Sequence, residues 1–298
     1  MKYFDIIGRS KIWFTLSGVL VVASIVGLIG FGLELGIDFT GGSLIDIRFE
    51  TEQDAGLVEA TVEELGYDTV VQSSDENGFI VRLETIDQVQ HNEILTALET
   101  IGPYDELRFD SVGPVIGEEL KKSSLWALII LLVLIVLYVA WAFRKVSEPV
   151  ASWKYGLLTI VAAAHDVIIP IGVFALLGHL FGFQIDTAFI AALLTILGYS
   201  INDTIVIFDR TRENLMSNRH SDQTFAETVN KSVMQSFARS INTSITTLFV
   251  LVAIFLFGGE TTKPFILALI IGVVSGAYSS IFLASPLLVW WEKKMNKE

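Results

Sequence analysis

Six long apolar segments are the feature that most constrains the fold of this 298-residue chain. About 20 mostly apolar residues are enough to cross a bilayer as a helix. The chain is also 52% hydrophobic, which is more apolar than an ordinary soluble domain. We therefore predict an α-helical polytopic membrane protein with six transmembrane helices, at residues 12–33, 123–143, 155–177, 187–208, 241–257 and 264–291.

The basic residues predict how these spans are oriented. With the N-terminus in the cytoplasm, 14 of the 20 Lys and Arg residues lie on the cytoplasmic side, and six lie on the other. Loops on the cytoplasmic side are normally the ones enriched in Lys and Arg. Both termini are therefore expected to be cytoplasmic. The chain has no cysteine, which excludes disulfides, thiolate metal sites and cysteine nucleophiles.

The first and second spans are separated by a segment, residues 34–122, that predicts a small extracytoplasmic α+β domain. Its patterns indicate strands at 43–49, 69–73, 79–83 and 104–110, and helices at 54–65 and 87–98, the second capped by Asp87. The order βαββαβ is the ferredoxin-like arrangement. The chain thus divides into 1–33 with the first span, this domain, and a five-helix bundle at 123–298.

The α+β segment is strongly acidic and offers no catalytic set. It carries 21 Asp and Glu residues against 5 Lys and Arg residues, which argues against nucleic-acid binding. No nucleophile, base and acid combine there, so an enzyme is not expected. Its one histidine, His91, is expected on an exposed helix face.

Four polar residues in or next to the predicted spans are the candidate functional residues, because polar groups in hydrocarbon are costly and default to function. Asp166 lies near the middle of the third span, Asn202 and Asp203 lie in the fourth, and Arg239 lies just before the fifth, where its helix opens. A carboxyl group in a low-dielectric site can alternate between charged and neutral forms, and a nearby arginine favours the charged one. The pattern indicates an ion relay. Hydrogen bonds between packed helices are the alternative.

Two glycine-rich segments flank the α+β domain, and residues 221–236 form an amphipathic pattern. The flanking segments are expected to act as hinges between the domain and the bundle. The amphipathic pattern predicts a separate helix along the membrane surface. The candidate hinge residues are Gly36, Gly41, Gly42, Gly113, Pro114 and Gly117.

Several motifs together resemble the SecF family of bacterial protein-export subunits. They are LGIDFTGGSLIDIRF after the first span, VGPVIGEEL before the second, AHD in the third, GYSINDTIVIFDRTREN in the fourth and RSINTSITT in the fifth. Their order and spacing make the resemblance specific over nearly the whole chain. It implies the resistance-nodulation-division superfamily, and it implies that Asp203 and Arg239 belong to an ion pathway.

The resemblance also implies partners and a mode of action. SecF-like proteins pair with SecD beside the SecYEG channel in the bacterial cytoplasmic membrane, among its lipids. There they use the proton motive force, or a Na⁺ gradient, to move extracytoplasmic domains that promote late preprotein translocation. No other cofactor is implied. The alternatives are half of a small-molecule or lipid exporter of the same superfamily, and a scaffold for the translocon without transport of its own.

Overall fold

The structure, a computed structural model, describes residues 4–74, 77–142, 151–217 and 223–295. Within them six helical segments are long and apolar enough to cross a membrane, as predicted. Residues 143, 221 and 222, which fall in predicted helices, lie outside this description. The helices are α1 (Ser10–Phe31), α2 (Ile37–Thr40), α3 (Ala55–Glu63), α4 (Gln88–Glu99), α5 (Pro114–Ala142), α6 (Ser152–Phe181), α7 (Thr187–Ser217), α8 (Phe225–Phe257), α9 (Lys263–Ser279) and α10 (Ser285–Met295).

The last span is made of α9, a π-helical segment at Ser280–Ala284, and α10. A π-helical turn widens a helix locally and is frequent at functional sites. Pro286 follows in the first turn of α10. A proline lacks the N–H of a regular helical bond and clashes with the carbonyl four residues earlier, which accounts for the irregular turn before it.

Four antiparallel strands form the sheet of the α+β unit in the order β2-β3-β1-β4. This is the predicted ferredoxin-like order, with the first strand in the centre. One face is covered by α3 and α4, whose apolar residues join those of the strands in a single core. The strands are β1 (Gly42–Phe49), β2 (Thr69–Ser73), β3 (Gly78–Leu83) and β4 (Tyr104–Val112).

A capping box begins α4, as its sequence predicts. The Asp87 carboxylate accepts a hydrogen bond from the Gln90 N–H at 2.9 Å, and the Gln90 side chain accepts one from the Asp87 N–H at 2.9 Å. Two donors that the helix leaves unpaired are satisfied in this way. The start of α4 is therefore fixed by residues adjacent in sequence.

The expectation that His91 is exposed is wrong. Its side chain is buried, its Nε2 lies 2.7 Å from Glu106 Oε1, and its ring stacks on Phe109. His91, Ile94 and Leu98 follow the helical spacing of three and four residues, so they share the face of α4 that covers the sheet. The position in the helix, and not the polarity of imidazole, decides its burial.

The separate surface helix expected at 221–236 is also wrong. Those of its residues that the structure describes form the first part of α8, a 33-residue helix that continues through the fifth span. Its sequence has no glycine or proline to interrupt it. At 1.5 Å per residue the helix is about 50 Å long, well beyond the ~30 Å of a hydrocarbon core. Arg239 therefore lies near the middle of a continuous helix.

The chain divides into two compact units. The helical unit contains Met1–Leu33, Ala127–His179 and Phe189–Glu298, and the α+β unit contains Glu34–Trp126 together with Leu180–Ala188. The second piece of the α+β unit is the segment between α6 and α7. Its place there is not indicated by the sequence.

Val81 and Val70 make a matched test of the α+β core. Val81 in β3 is fully buried, whereas Val70 in β2 is 63% exposed. Val81→Ala removes buried methyl groups and leaves a cavity, so we expect a loss of about 2 kcal/mol in local stability. Val70→Ala should change it by less than about 0.5 kcal/mol. Hydrogen exchange of the sheet amides in the full chain measures both, and equal effects would contradict this core.

Candidate functional site

Asp166 is the best-satisfied buried acid of the helical unit. Its carboxylate is fully buried in the middle of α6 and accepts hydrogen bonds from three hydroxyls. Ser275 of α9 donates at 3.0 Å, Ser279 of α9 at 2.6 Å, and Ser200 of α7 in a short contact. One side chain thereby ties three membrane helices together.

A close approach of α7 and α9 brings these hydroxyls within reach. A Cβ on Gly276 would lie 2.7 Å from the Ser200 Cβ, and one on Gly272 would overlap Ile196. The two glycines form a GxxxG motif, which lets helix backbones pack closely in membranes. The Thr204 and Ser280 hydroxyls, 2.8 Å apart, extend the same contact.

His165 completes the surroundings of Asp166. Its Nδ1 lies 2.9 Å from the Asp166 carboxylate, and its ring stacks on Tyr278. Its Nε2 is buried without a hydrogen-bond partner. Across the residues described, no group of three or more His, Asp or Glu side chains is placed to hold a metal ion. The geometry favours a fixed polar cluster at this level of the bundle.

Asp203, one turn beyond Ser200 on α7, has a different environment. The residue is 5% exposed, yet its Oδ2 has no hydrogen-bond partner. The Oγ atoms of Ser240 and Ser244 in α8 are also buried without a well-formed hydrogen bond, although the Ser240 hydroxyl lies close to the Asp203 carboxyl. An unsatisfied buried polar group costs about 1–3 kcal/mol. Three such groups where α7 meets α8 indicate a place that takes up water, an ion or a partner's side chain.

Arg239 precedes Ser240 on α8 and lies in the neighbourhood of Asp203. The ion pairs formed among the described residues do not include one between them. Arg239 instead has an exposed side chain and lines a cavity of about 280 Å³ together with Asp209, Glu213 and Gln235. The structure thus brings the two predicted residues into one neighbourhood without joining them.

A polar face, exposed to the surroundings of the chain, runs along α7 and α8 beside Asp203. The two helices are connected there by the Tyr199 hydroxyl, which donates to the Thr247 Oγ1 at 3.3 Å. The threonine hydroxyls of this face bond to carbonyls of their own helices, but its amides and its guanidinium extend outwards. The polar face comprises Thr195, Asn202, Arg239, Asn242, Thr243 and Thr246.

Three of the candidate hinge residues, Gly41, Pro114 and Gly117, come together where the chain enters and leaves the α+β unit. Gly41 and Gly42 have positive φ angles of 75° and 131°, which glycine adopts readily. A Cβ on Gly41 would lie 2.9 Å from Pro114, and one on Gly117 would lie 3.0 Å from the Gly41 nitrogen. The two segments therefore cross in close contact, which requires glycine. Motion at this crossing stays a prediction.

Two family models match this chain. The model for "Protein export membrane protein SecD/SecF, C-terminal" matches residues 93–294, and the model for the "SecD/SecF GG Motif" matches residues 26–53. The chain belongs to the SecD/SecF family.

Relatives within the SecD/SecF family match it along nearly its whole length. Protein translocase subunit SecF of Thermobaculum terrenum is 42% identical, with 97% of this chain and 94% of the relative covered. The subunit of the same name from Acidaminococcus fermentans is 37% identical, with 100% of both chains covered. The relatives that align from end to end are thus SecF subunits.

The fold is similar to that of SecDF, a translocon-associated membrane protein from Thermus thermophilus. The crystal structure superposes with a TM-score of 0.86 at 34% identity, covering 98% of this chain and 39% of that one. A super-membrane-facing form of SecDF gives a TM-score of 0.71. The chain spans less than half of the longer SecDF chain.

The serines around Asp166 are the residues that sequence reasoning missed in this SecD/SecF-family chain. Ser275 and Ser279 lie four positions apart, as do Gly272 and Gly276. These pairs place a hydroxyl stripe beside a glycine stripe on one helix. That combination is visible in the sequence, but its contact with Asp166, 109 positions from Ser275, is not.

Gly276 and Gly18 provide a matched test of the α7–α9 contact in the SecD/SecF-family bundle. Gly276→Ala forces α7 and α9 apart, and overpacking of this kind costs about 1–3 kcal/mol. Gly18→Ala in α1 meets nothing within 4 Å, so its helix propensity should leave stability unchanged or slightly higher. Thermal unfolding of the detergent-solubilised chain measures both variants. Equal unfolding temperatures would contradict the close contact.

Proposed function

We propose that this chain is a SecF-type subunit of the Sec protein-export machinery, coupled to a transmembrane ion gradient. With SecD it uses the flow of H⁺ or Na⁺ to drive motion of its α+β unit, and this motion promotes late steps of preprotein translocation. Family membership and its SecF relatives support the export role. The unsatisfied polar atoms around Asp203 carry the ion-coupling part of the proposal.

The contrast between the two buried acids supports Asp203 as the group that exchanges an ion. Asp166 has donors on both carboxylate oxygens, so its environment is complete within this chain. Asp203 has an oxygen without a donor, beside two serine hydroxyls without partners. A group that must bind and release a proton or a cation needs such an incomplete environment. Asp166 then acts as the fixed polar end of the same relay. It is connected to Asp203 through Ser200, which donates to Asp166 and lies one turn before Asp203 on α7.

The polar face of α7 and α8 supports a partner within the membrane. Polar side chains exposed to lipid at this depth are unfavourable, and they normally face a protein interior or a water-filled path. Asn202 and Arg239 both belong to the face. We assign SecD as the protein that covers it, because SecDF carries a SecF-like part within a longer chain. An ion path at the boundary between the two proteins then accounts for the incomplete environment of Asp203.

Arg239 has the role of a movable counter-charge. While it stays apart from Asp203, the acid is free to bind a proton, and a closer approach favours the charged form. The cavity that Arg239 lines, about 280 Å³ in volume, is large enough for water at this end of the path. Motion of α8 relative to α7 thereby makes Asp203 bind and release the ion in turn. In the proposed membrane orientation, both termini lie in the cytoplasm of a bacterium and the α+β unit lies outside its inner membrane.

The test is preprotein export in a strain whose only copy carries Asp203→Asn. The amide has the same shape but cannot cycle between charged and neutral states. We expect export to fall to the level of a strain that lacks the chain, with normal protein level and normal association with SecD. Arg239→Ala should have the same effect for the same reason.

Asp105→Asn is the matched control, since Asp105 is an exposed acid in β4 of the α+β unit. It should export like the native chain. Normal export by both Asp203→Asn and Arg239→Ala would overturn ion coupling and favour a scaffold, in which only assembly with the translocon matters.

A further inference from the structure

The segment that joins α6 to α7 is attached to the α+β unit by hydrogen bonds at both of its ends. We call residues 180–188 the strap. Near α6, the Phe181 carbonyl accepts a hydrogen bond from the Gln72 side chain of β2 at 3.1 Å. Gln72 is itself held by the Arg82 guanidinium at 2.8 Å. The strap is therefore fixed to the sheet where α6 ends.

At its other end the strap pairs with the backbone that follows the first span. Ile185 forms a parallel bridge with Leu35. The Ile185 N–H donates to the Glu34 carbonyl at 2.8 Å, and the Gly36 N–H donates to the Ile185 carbonyl at 2.8 Å. A Cβ at position 36 would lie 3.1 Å from that carbonyl oxygen, so a larger residue there would press on the pairing.

Asp38 then caps α7 from a distant part of the sequence. Its carboxylate accepts hydrogen bonds from the N–H of Thr187, at 2.9 Å, and from the Thr187 hydroxyl. Thr187 is the first residue of α7. The first N–H groups of a helix lack partners in the helix and favour a negative charge. The cap comes from a residue 149 positions earlier in the sequence, within the GIDFT motif.

The strap is continuous with the two helices that carry the buried acids. Asp203 is 16 residues after Thr187, or about 24 Å along α7, and Asp166 is 15 residues before Phe181, or about 22 Å along α6. A helix transmits a displacement of its end along its axis as long as its hydrogen bonds are unbroken. Between Thr187 and Asp203, α7 has no proline, whereas α6 contains Pro170 between Asp166 and Phe181. A displacement of the strap is therefore transmitted most directly to Asp203.

We propose that the strap is the mechanical link between the α+β unit and the relay, with Asp38 as the positioning residue that fixes it to α7. Motion of the α+β unit carries the strap with it and displaces the ends of α6 and α7 that are attached to the strap. The strap stays attached throughout this cycle. The inference rests on the proposed function and adds to it the route by which ion binding at Asp203 and motion of the α+β unit are coupled.

An introduced cysteine pair tests the link without competing disulfides within this chain, because the chain has no cysteine of its own. Leu35 and Ile185 are bridge partners, and neighbouring strand residues lie within the separation that a disulfide spans. Export is compared for L35C/I185C before and after oxidation, and for Asp38→Ala with and without this pair. Asp38→Asn is the conservative variant, since its amide oxygen still accepts the Thr187 hydrogen bonds.

We expect Asp38→Ala to lower export several-fold with normal protein level and SecD association, and Asp38→Asn to keep most of it. Oxidised L35C/I185C should export as well as the reduced form, and oxidation should restore export to Asp38→Ala carrying the pair. A disulfide that blocks export would mean that the strap must detach, which overturns the proposal. Normal export by Asp38→Ala, or a loss that oxidation does not restore, overturns it too.

Asp203→Asn, assayed in the same cells, separates this inference from the proposed function. Loss of export in Asp203→Asn with normal export in Asp38→Ala rejects the strap alone. Normal export in both rejects ion coupling together with the strap. Loss in Asp38→Ala that the disulfide restores, beside normal export in Asp203→Asn, keeps the strap as the required link and rejects Asp203 as the ion-binding group.

Discussion

The cost of placing a polar group in hydrocarbon is the constraint on which the rest of this structure depends. Backbone polar groups meet it by forming helices, and side chains must meet it individually. Asp166 does so entirely within the chain, with three serine donors on α7 and α9. Asp203 does not, since one of its oxygens and the hydroxyls of Ser240 and Ser244 are left without partners. Asp166 therefore holds the helices of the bundle together, whereas one oxygen of Asp203 lacks a hydrogen-bond partner within the chain.

Close packing of small residues allows Asp166 to be satisfied within the chain. The surroundings of Asp203 contrast with this packing. Gly272 and Gly276 let α9 approach α7 so closely that hydroxyls reach Asp166, and the helices at that contact have little freedom to separate. The opposite side of α7 bears Asn202 and, with Arg239 of α8, exposes polar groups that lipid does not satisfy. A rigid side and an incomplete side on the same helix suit a subunit that moves against a partner. In our proposal, the strap connects this helix to the α+β unit, whose motion promotes translocation.

Much of the fold could be predicted because it follows local rules. The six spans follow from apolar length, the strand order from alternation, and the start of α4 from Asp87 and Gln90. The expected exposure of His91 is wrong because its helical register, and not the polarity of imidazole, decides its burial. The expected separate helix at 221–236 is wrong because its amphipathic pattern continues without a break into the fifth span. The serine cluster and the Asp38 cap could not be foreseen, because each joins residues more than 100 positions apart in most of its contacts, and no local pattern reports such distances.

Ion flux through a reconstituted complex tests the central claim most directly. The chain and SecD are placed in liposomes that contain dyes for H⁺ and for Na⁺, and a gradient of each ion is imposed in turn. The account predicts that one of the two ions crosses faster than in protein-free liposomes, and that Asp203→Asn abolishes this difference without changing the amount of complex inserted. Equal flux of that ion through the native and Asp203→Asn complexes would contradict the claim that Asp203 binds the coupling ion.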